Sequence, residues 1–319
     1  MAVVEVTSAP SGSYLRAAMG LLPSRRPADI PDISLLRRAV VVDRDHLARY
    51  DRVCGFRLGD VLPATYPHLL AFPLAMRLMS ASDFPFPVVG VVHVANRISV
   101  FRDIDAGEPL DVTVHCANLR PHRRGQQFDV IASVSSDDET VWRGVSTYLS
   151  KSGKGSPIST SAGPDTGSGA GSGAGADGGP GAGGGPGAGG GLGAGGGLGA
   201  GGGLGAEGDF TPTARWRVPA NIGGLYAEVS GDRNPIHTSR VGARVFGFPR
   251  PIAHGMWSKA RSLAALAGRL PARFTVDVAF KQPILLPSTV GFAAAATKDG
   301  WEFRVDGKKP HLAGVVTPP

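Results

Sequence analysis

Apolar and polar positions along the first half of the chain fall into a short series of elements. Leu35–Val42 is apolar and ends in β-branched residues, which predicts a strand. Asp43 stands at the N-cap position of a short helix over His46–Val53. Pro67–Ser80 carries Leu69, Leu70, Phe72, Leu74, Met76, Leu78 and Met79, so it is apolar nearly all round and predicts a buried helix. Pro73 kinks that helix or marks its start. Met76 and Met79 read as core filling. Alternation and β-branching then predict strands over Val88–Phe101, Leu110–Leu119, Gln126–Ser135 and Thr140–Leu149. A strand, a short helix, a long helix and an antiparallel meander make an α+β arrangement, with a curved sheet wrapped around one helix rather than a βαβ series.

The second half repeats this order. Phe210–Val218 predicts a strand, and Ala220–Val229 leads into a turn-rich loop. Met256–Leu270 predicts a long helix with Leu263, Leu266 and Leu270 on its core stripe. Phe274–Phe280, Val290–Thr297, Trp301–Val305 and His311–Val316 predict a second meander, with a turn-and-strand junction at Lys281–Pro287. The residues repeat as well: Tyr50-Asp-Arg-Val53-Cys54-Gly55 matches Tyr226-Ala-Glu-Val229-Ser230-Gly231. The halves are therefore expected to be copies, forming a pseudo-dimer whose sheets pair edge to edge and so hide aggregation-prone edges. Residues 1–34 read as an arm packed on the body. That arm holds a short amphipathic helix over Tyr14–Leu22, ended by Pro23, and an extended stretch past Pro27 and Pro31.

Composition changes this picture in one place. Of the 47 glycines, 28 lie between Gly153 and Gly208, and from Pro180 a Pro/Leu-Gly-Ala-Gly-Gly-Gly unit repeats. Glycine is not at every third position, so collagen is excluded, and the repeat from Pro180 has no β-branched residues to be buried. Residues 151–208 are expected to be a flexible linker, spanning roughly 35–45 Å root-mean-square. The domain boundaries follow: an arm over 1–34, one domain over 35–150, the linker, and a second domain over 209–319. Two cysteines, Cys54 and Cys116, make no disulfide framework and read as small buried residues. No apolar run approaches the roughly 20 residues that span a bilayer. The first residues do not form a secretory leader, so a cytoplasmic protein is expected. A net charge of +7 points to anionic partners. No nucleic-acid-binding motif accompanies it, so nucleic acid is not expected.

Candidate chemistry concentrates in Tyr226–Met256. Gly231-Asp232 and Asn234-Pro235 force the backbone to turn, and His237 follows within five residues of Asp232. A carboxylate and an imidazole held this close can share one water or substrate hydroxyl, one taking a proton while the other gives one, with Asn234 orienting either. The same residues also suit a purely structural turn, and spacing alone leaves both readings open. Gly255-Met256 begins the long helix, whose first N–H groups lack intrahelical partners and carry the positive end of the dipole. They can polarise a carbonyl oxygen, and Gly255 lets a substrate approach its backbone. His254 reads either as a structural helix-start residue or as a substrate contact. In the first half, Phe56 stands where Asp232 stands in the second, and no Asn-Pro-x-His follows. His93 faces either a channel or the interior. The basic turn Pro121–Gly125 is either a solvated hairpin tip or a phosphate contact.

The pattern Tyr226-x-x-x-Ser230-Gly231-Asp232-x-Asn234-Pro235-Ile236-His237, with Ala243, Gly247-Phe248 and Ile252-Ala253-His254-Gly255-Met256, resembles the signature of the MaoC-like dehydratases, the R-specific enoyl-CoA hydratases. The resemblance covers about Thr211 to the end, and more weakly Leu35–Ser150. It implies a double hotdog fold with a degenerate first half. It also implies reversible dehydration of (R)-3-hydroxyacyl thioesters to trans-2-enoyl thioesters, a hydro-lyase activity of fatty-acid metabolism. Asp232 and His237 are then the catalytic pair, with Asn234 beside them, and Gly255 supplies the carbonyl-polarising N–H. Tyr226, Ser230, His254 and Met256 are expected to contact substrate. The substrate is carried on coenzyme A or an acyl carrier protein, with no metal and no other cofactor, and the pseudo-dimer can dimerise again. The vacated first site is expected to admit a long acyl tail. A hotdog thioesterase and a non-catalytic thioester-binding subunit are the rival readings.

Overall fold

The computed structural model describes residues 1–7, 26–88, 90–151 and 211–319. The expected helix over Tyr14–Leu22 and nearly all of the expected linker lie outside the described residues.

The front half comprises β2 (Ile33–Val40), α1 (Arg44–Cys54), α2 (Tyr66–Met79), β3 (Val91–Val100), β4 (Leu110–His122), β5 (Gly125–Ser136) and β6 (Glu139–Lys151). The back half comprises β7 (Ala214–Val218), α3 (Ile222–Ser230), α4 (Pro235–Thr238), α5 (Arg240–Val245), α6 (Gly255–Ala265), β8 (Phe274–Phe280), β9 (Ser288–Thr297), β10 (Gly300–Asp306) and β11 (Pro310–Thr317). A further strand, β1 (Ala2–Glu5), pairs parallel with β2 at the sheet edge. The strands form one sheet in the order β1-β2-β4-β5-β6-β3-β8-β11-β10-β9-β7. Without β1, the front order β2-β4-β5-β6-β3 and the back order β7-β9-β10-β11-β8 are equivalent. The protein is a double hotdog, and its two sheets join through antiparallel β3 and β8, from Ala95↔Ala279 to Val100↔Phe274.

The repeated sequence has a shared structural cause. Both α1 and α3 end on a left-handed glycine, Gly55 at φ 80° and Gly231 at φ 74°, a conformation that favours glycine. Their N–H groups bond the carbonyls of Asp51 and Ala227 respectively. Tyr50 and Tyr226, the matched tyrosines, are both buried, with ring centroids 6.3 Å apart. The helices also cap one another across the two halves. A His46 ring nitrogen lies 2.8 Å from the Val229 carbonyl, and the Trp257 indole N–H donates to the Val53 carbonyl at 3.1 Å.

Some boundaries differ from expectation. Pro73 lies inside α2 without ending it. The second long helix stops at Ala265 rather than Leu270, where the chain turns through Gly268 at φ 78°. Leu263 and Leu266 are nevertheless buried as the apolar stripe requires. At the seam, fully buried Lys259 of α6 donates to the Asn96 carbonyl (3.0 Å), the Asn96 Oδ1 (2.6 Å) and the Val276 carbonyl (3.1 Å). Burial pushes its pKa well below the usual lysine range. Three acceptors meet the three N–H groups of the protonated side chain, which reduces the desolvation of the ammonium without cancelling it.

Candidate active site

The loop after α3 is built by its own side chains. Gly231 ends the helix, and the Asp232 Oδ1 accepts the Asn234 N–H at 3.2 Å, closing an Asx turn. The Ser230 hydroxyl accepts the Asp232 N–H at 3.2 Å. Asn234 then caps α4, its Oδ1 accepting the Ile236 N–H at 3.3 Å, with Pro235 in the first turn. That single turn delivers His237 into a buried position. The His237 Nδ1 lies 2.8 Å from the Ile252 carbonyl, an acceptor only, so Nδ1–H donates and Nε2 keeps its lone pair. Burial lowers the His237 pKa and keeps the ring neutral at pH 7, although the Asp232 carboxylate pulls the other way.

His254 binds this loop from the other side. Its Nε2 lies 3.0 Å from the Asp232 carbonyl and 3.7 Å from the Asp232 Oδ2. Its ring stacks on His237 with centroids 3.6 Å apart. Burial drives its pKa down to about 3, so it too is a neutral ring. The Asp232, His237 and His254 ligand atoms all lie within 4.8 Å of one another, a grouping that could also hold a metal ion. Both imidazoles have one ring nitrogen committed to a backbone carbonyl, which leaves one lone pair each for a proton or a ligand.

Gly255 opens α6 without a side-chain cap from His254. A Cβ there would sit 3.0–3.2 Å from the Phe280 ring, so glycine is also what lets Phe280 lie over the helix start. Asp232, Asn234, His237, Gly255, Tyr226, Ser230, His254 and Met256 all line one cavity of about 470 Å³. Their contacts differ in kind. Ser230 and His254 hold the loop, whereas the hydroxyl of Tyr226 is buried without a hydrogen-bond partner among the described residues and its ring lies 4.9 Å from that of His254.

The cavity does not stop at the seam. His68, Leu69, Phe72, Met76 and Met79 of α2 line it, as does Tyr148 of β6. The methionines expected to be core filling are therefore also cavity wall. His93 lines the cavity beside Tyr148, at a ring distance of 4.7 Å, and burial lowers its pKa to about 3. His122 and Arg124 of the basic turn border the cavity too. Phe56 occupies the place of the missing acid and stacks on Tyr50 at 6.2 Å. One contributor went unread: a Cβ on Gly223 of α3 would lie 2.1 Å from the His237 carbonyl. The paired glycines Gly223-Gly224 inside a helix were the available signal.

Residues 213–311 match the family model of the MaoC like domain. The chain is 33% identical over 314 residues to 3-hydroxyacyl-thioester dehydratase X of Mycobacterium tuberculosis, covering 96% of this chain and 98% of that protein. This chain belongs to the MaoC-like dehydratase family. The crystal structure of HtdX from the same organism superposes with a TM-score of 0.69 at 30% identity, over 90% of this chain and all of that one (100%). A MaoC-like dehydratase from Phytophthora capsici shares the fold at a TM-score of 0.63 and 16% identity, over 90% of this chain and 95% of that one.

Proposed function

We propose that this protein is a hydro-lyase that reversibly dehydrates (R)-3-hydroxyacyl thioesters to trans-2-enoyl thioesters, in the cytoplasm, with the acyl group carried on coenzyme A or an acyl carrier protein. The observation that carries the reading is the Asp232 loop: a carboxylate oxygen and an imidazole nitrogen within 4.8 Å, at the wall of a deep cavity beside the first N–H of α6. One water or one hydroxyl bridges a gap of that size. In dehydration, Asp232 and His237 remove the C2 proton and protonate the departing C3 hydroxyl. In hydration, they deprotonate a water that adds to C3 and return a proton to C2. Gly255 N–H stabilises the enolate-like thioester oxygen, helped by the helix dipole. Only the elements of water are exchanged, so the chemistry calls for no redox cofactor. The extension of the cavity into the degenerate front half supports its use by a long acyl tail.

The test is the loss of enoyl-thioester absorbance when the protein meets a medium-chain trans-2-enoyl-CoA. Asp232→Asn and His237→Ala should each lower turnover by about 10²–10⁴-fold. Release of free thiol by the wild type would instead identify a thioesterase.

A further inference from the structure

The two halves differ most in the connection that carries the site. After the matched glycine caps, the front half reaches the N-cap of α2 through residues 56–64, while the back half reaches that of α6 through residues 232–253. The fold closes this connection with nine residues in one copy and uses twenty-two in the other. Asp232 and α4 account for the first part of the excess. The remainder, α5, buries only Ala243. Val241 and Val245, one turn apart on one face, are 72% and 74% exposed, and Phe246 follows at 36%. Arg240 and Arg244, also one turn apart, are exposed beside them. Arg233 through Arg250 contains four arginines and no acidic residue. Among the described residues, Arg233, Arg240 and Arg244 make no ion pair. Arg233 and Phe246 also line the cavity, so this face stands at its mouth.

From this we infer that the exposed face of α5 is the docking surface for an acidic acyl carrier protein, which offers its thioester to the cavity on a phosphopantetheine arm. The inference rests on the dehydratase reading and names the partner that reading leaves open. Two valines presented to solvent call for apolar side chains, and the flanking arginines call for carboxylates. One helix of an acidic protein supplies both.

The experiment compares trans-2-octenoyl on a type II acyl carrier protein with trans-2-octenoyl-CoA, using full-length wild type, Val245→Glu and Arg244→Glu. Binding of the fluorescently labelled carrier protein is followed separately by anisotropy. Both substitutions should raise the carrier-thioester KM and the carrier Kd by about tenfold or more, and leave kcat/KM for the CoA thioester within about twofold. Unchanged carrier kinetics, equal losses on both substrates, or a wild type that turns over the CoA thioester without binding the carrier would overturn the docking surface. A wild type inert on both thioesters that still binds the carrier, with binding lost in both variants, would overturn the dehydratase reading and leave the docking surface standing.

Discussion

The imidazole of His237 sits between two opposing influences. Burial is the larger and lowers its pKa from the ordinary 6.5, while the Asp232 carboxylate and the Ile252 carbonyl raise it. With His237 taken as the proposed base, activity is lost as pH falls through the His237 pKa, and a lowered pKa moves that loss to lower pH. The acid limb of kcat/KM should therefore have its midpoint below 6.5. In the residual activity of Asp232→Asn it should move lower still, because the carboxylate that favours the imidazolium is gone. A wild-type midpoint at or above 6.5 would remove His237 from the role of base. The acid, the amide and the imidazole were legible in the sequence because they lie within six residues and fold on themselves. The stacking of His254 on His237 was not, since it is fixed by how α6 docks rather than by local spacing.

At the scale of elements, the close contact between α3 and α4 makes a paired prediction. Gly223→Ala would place a methyl group 2.1 Å from the His237 carbonyl, so α4 must shift. Overpacking of this kind costs roughly 1–3 kcal/mol, and a displacement of about 1 Å at a catalytic group costs about 10² in rate. Gly224→Ala meets nothing within 4 Å and should stabilise the helix by about 0.5–1 kcal/mol with kcat unchanged. Thermal melts and kcat for both variants check this, and equal behaviour would show that the α3–α4 contact does not position His237. The strands and long helices were visible as apolar periodicity, down to the strand sets of both meanders. Four-residue β1 was too short to show a period, and its pairing depends on β2 far along the chain. Met76 and Met79 are buried in the core as the apolar pattern predicts, and they line the cavity as well, which that pattern cannot show.

For the whole molecule, the decisive feature is the seam, where the duplicated halves become one body. Duplication was legible from the Tyr-x-x-Val-small-Gly repeat, but the buried lysine that ties α6 to β3 and β8 was not. Lys259 lies on a helix where amphipathic reading places a charge in solvent, and it is fully buried instead. Its ammonium reaches Asn96 of the front half and Val276 of the back half, so it holds α6 against both strands at once. Burial lowers its folded pKa well below 10.5, so between the two values the unfolded chain binds the proton more tightly than the folded one. Stability contributed by this residue then rises with pH across that window as the unfolded state loses its advantage. Buried tyrosines with raised pKa values act in the opposite direction at high pH. A difference measurement between wild type and Lys259→Met cancels them. Urea denaturation at pH 7 and pH 9.5 should show the advantage of wild type over Lys259→Met growing with pH. A difference that stays constant would mean that the three seam acceptors hold the Lys259 proton as firmly as water does.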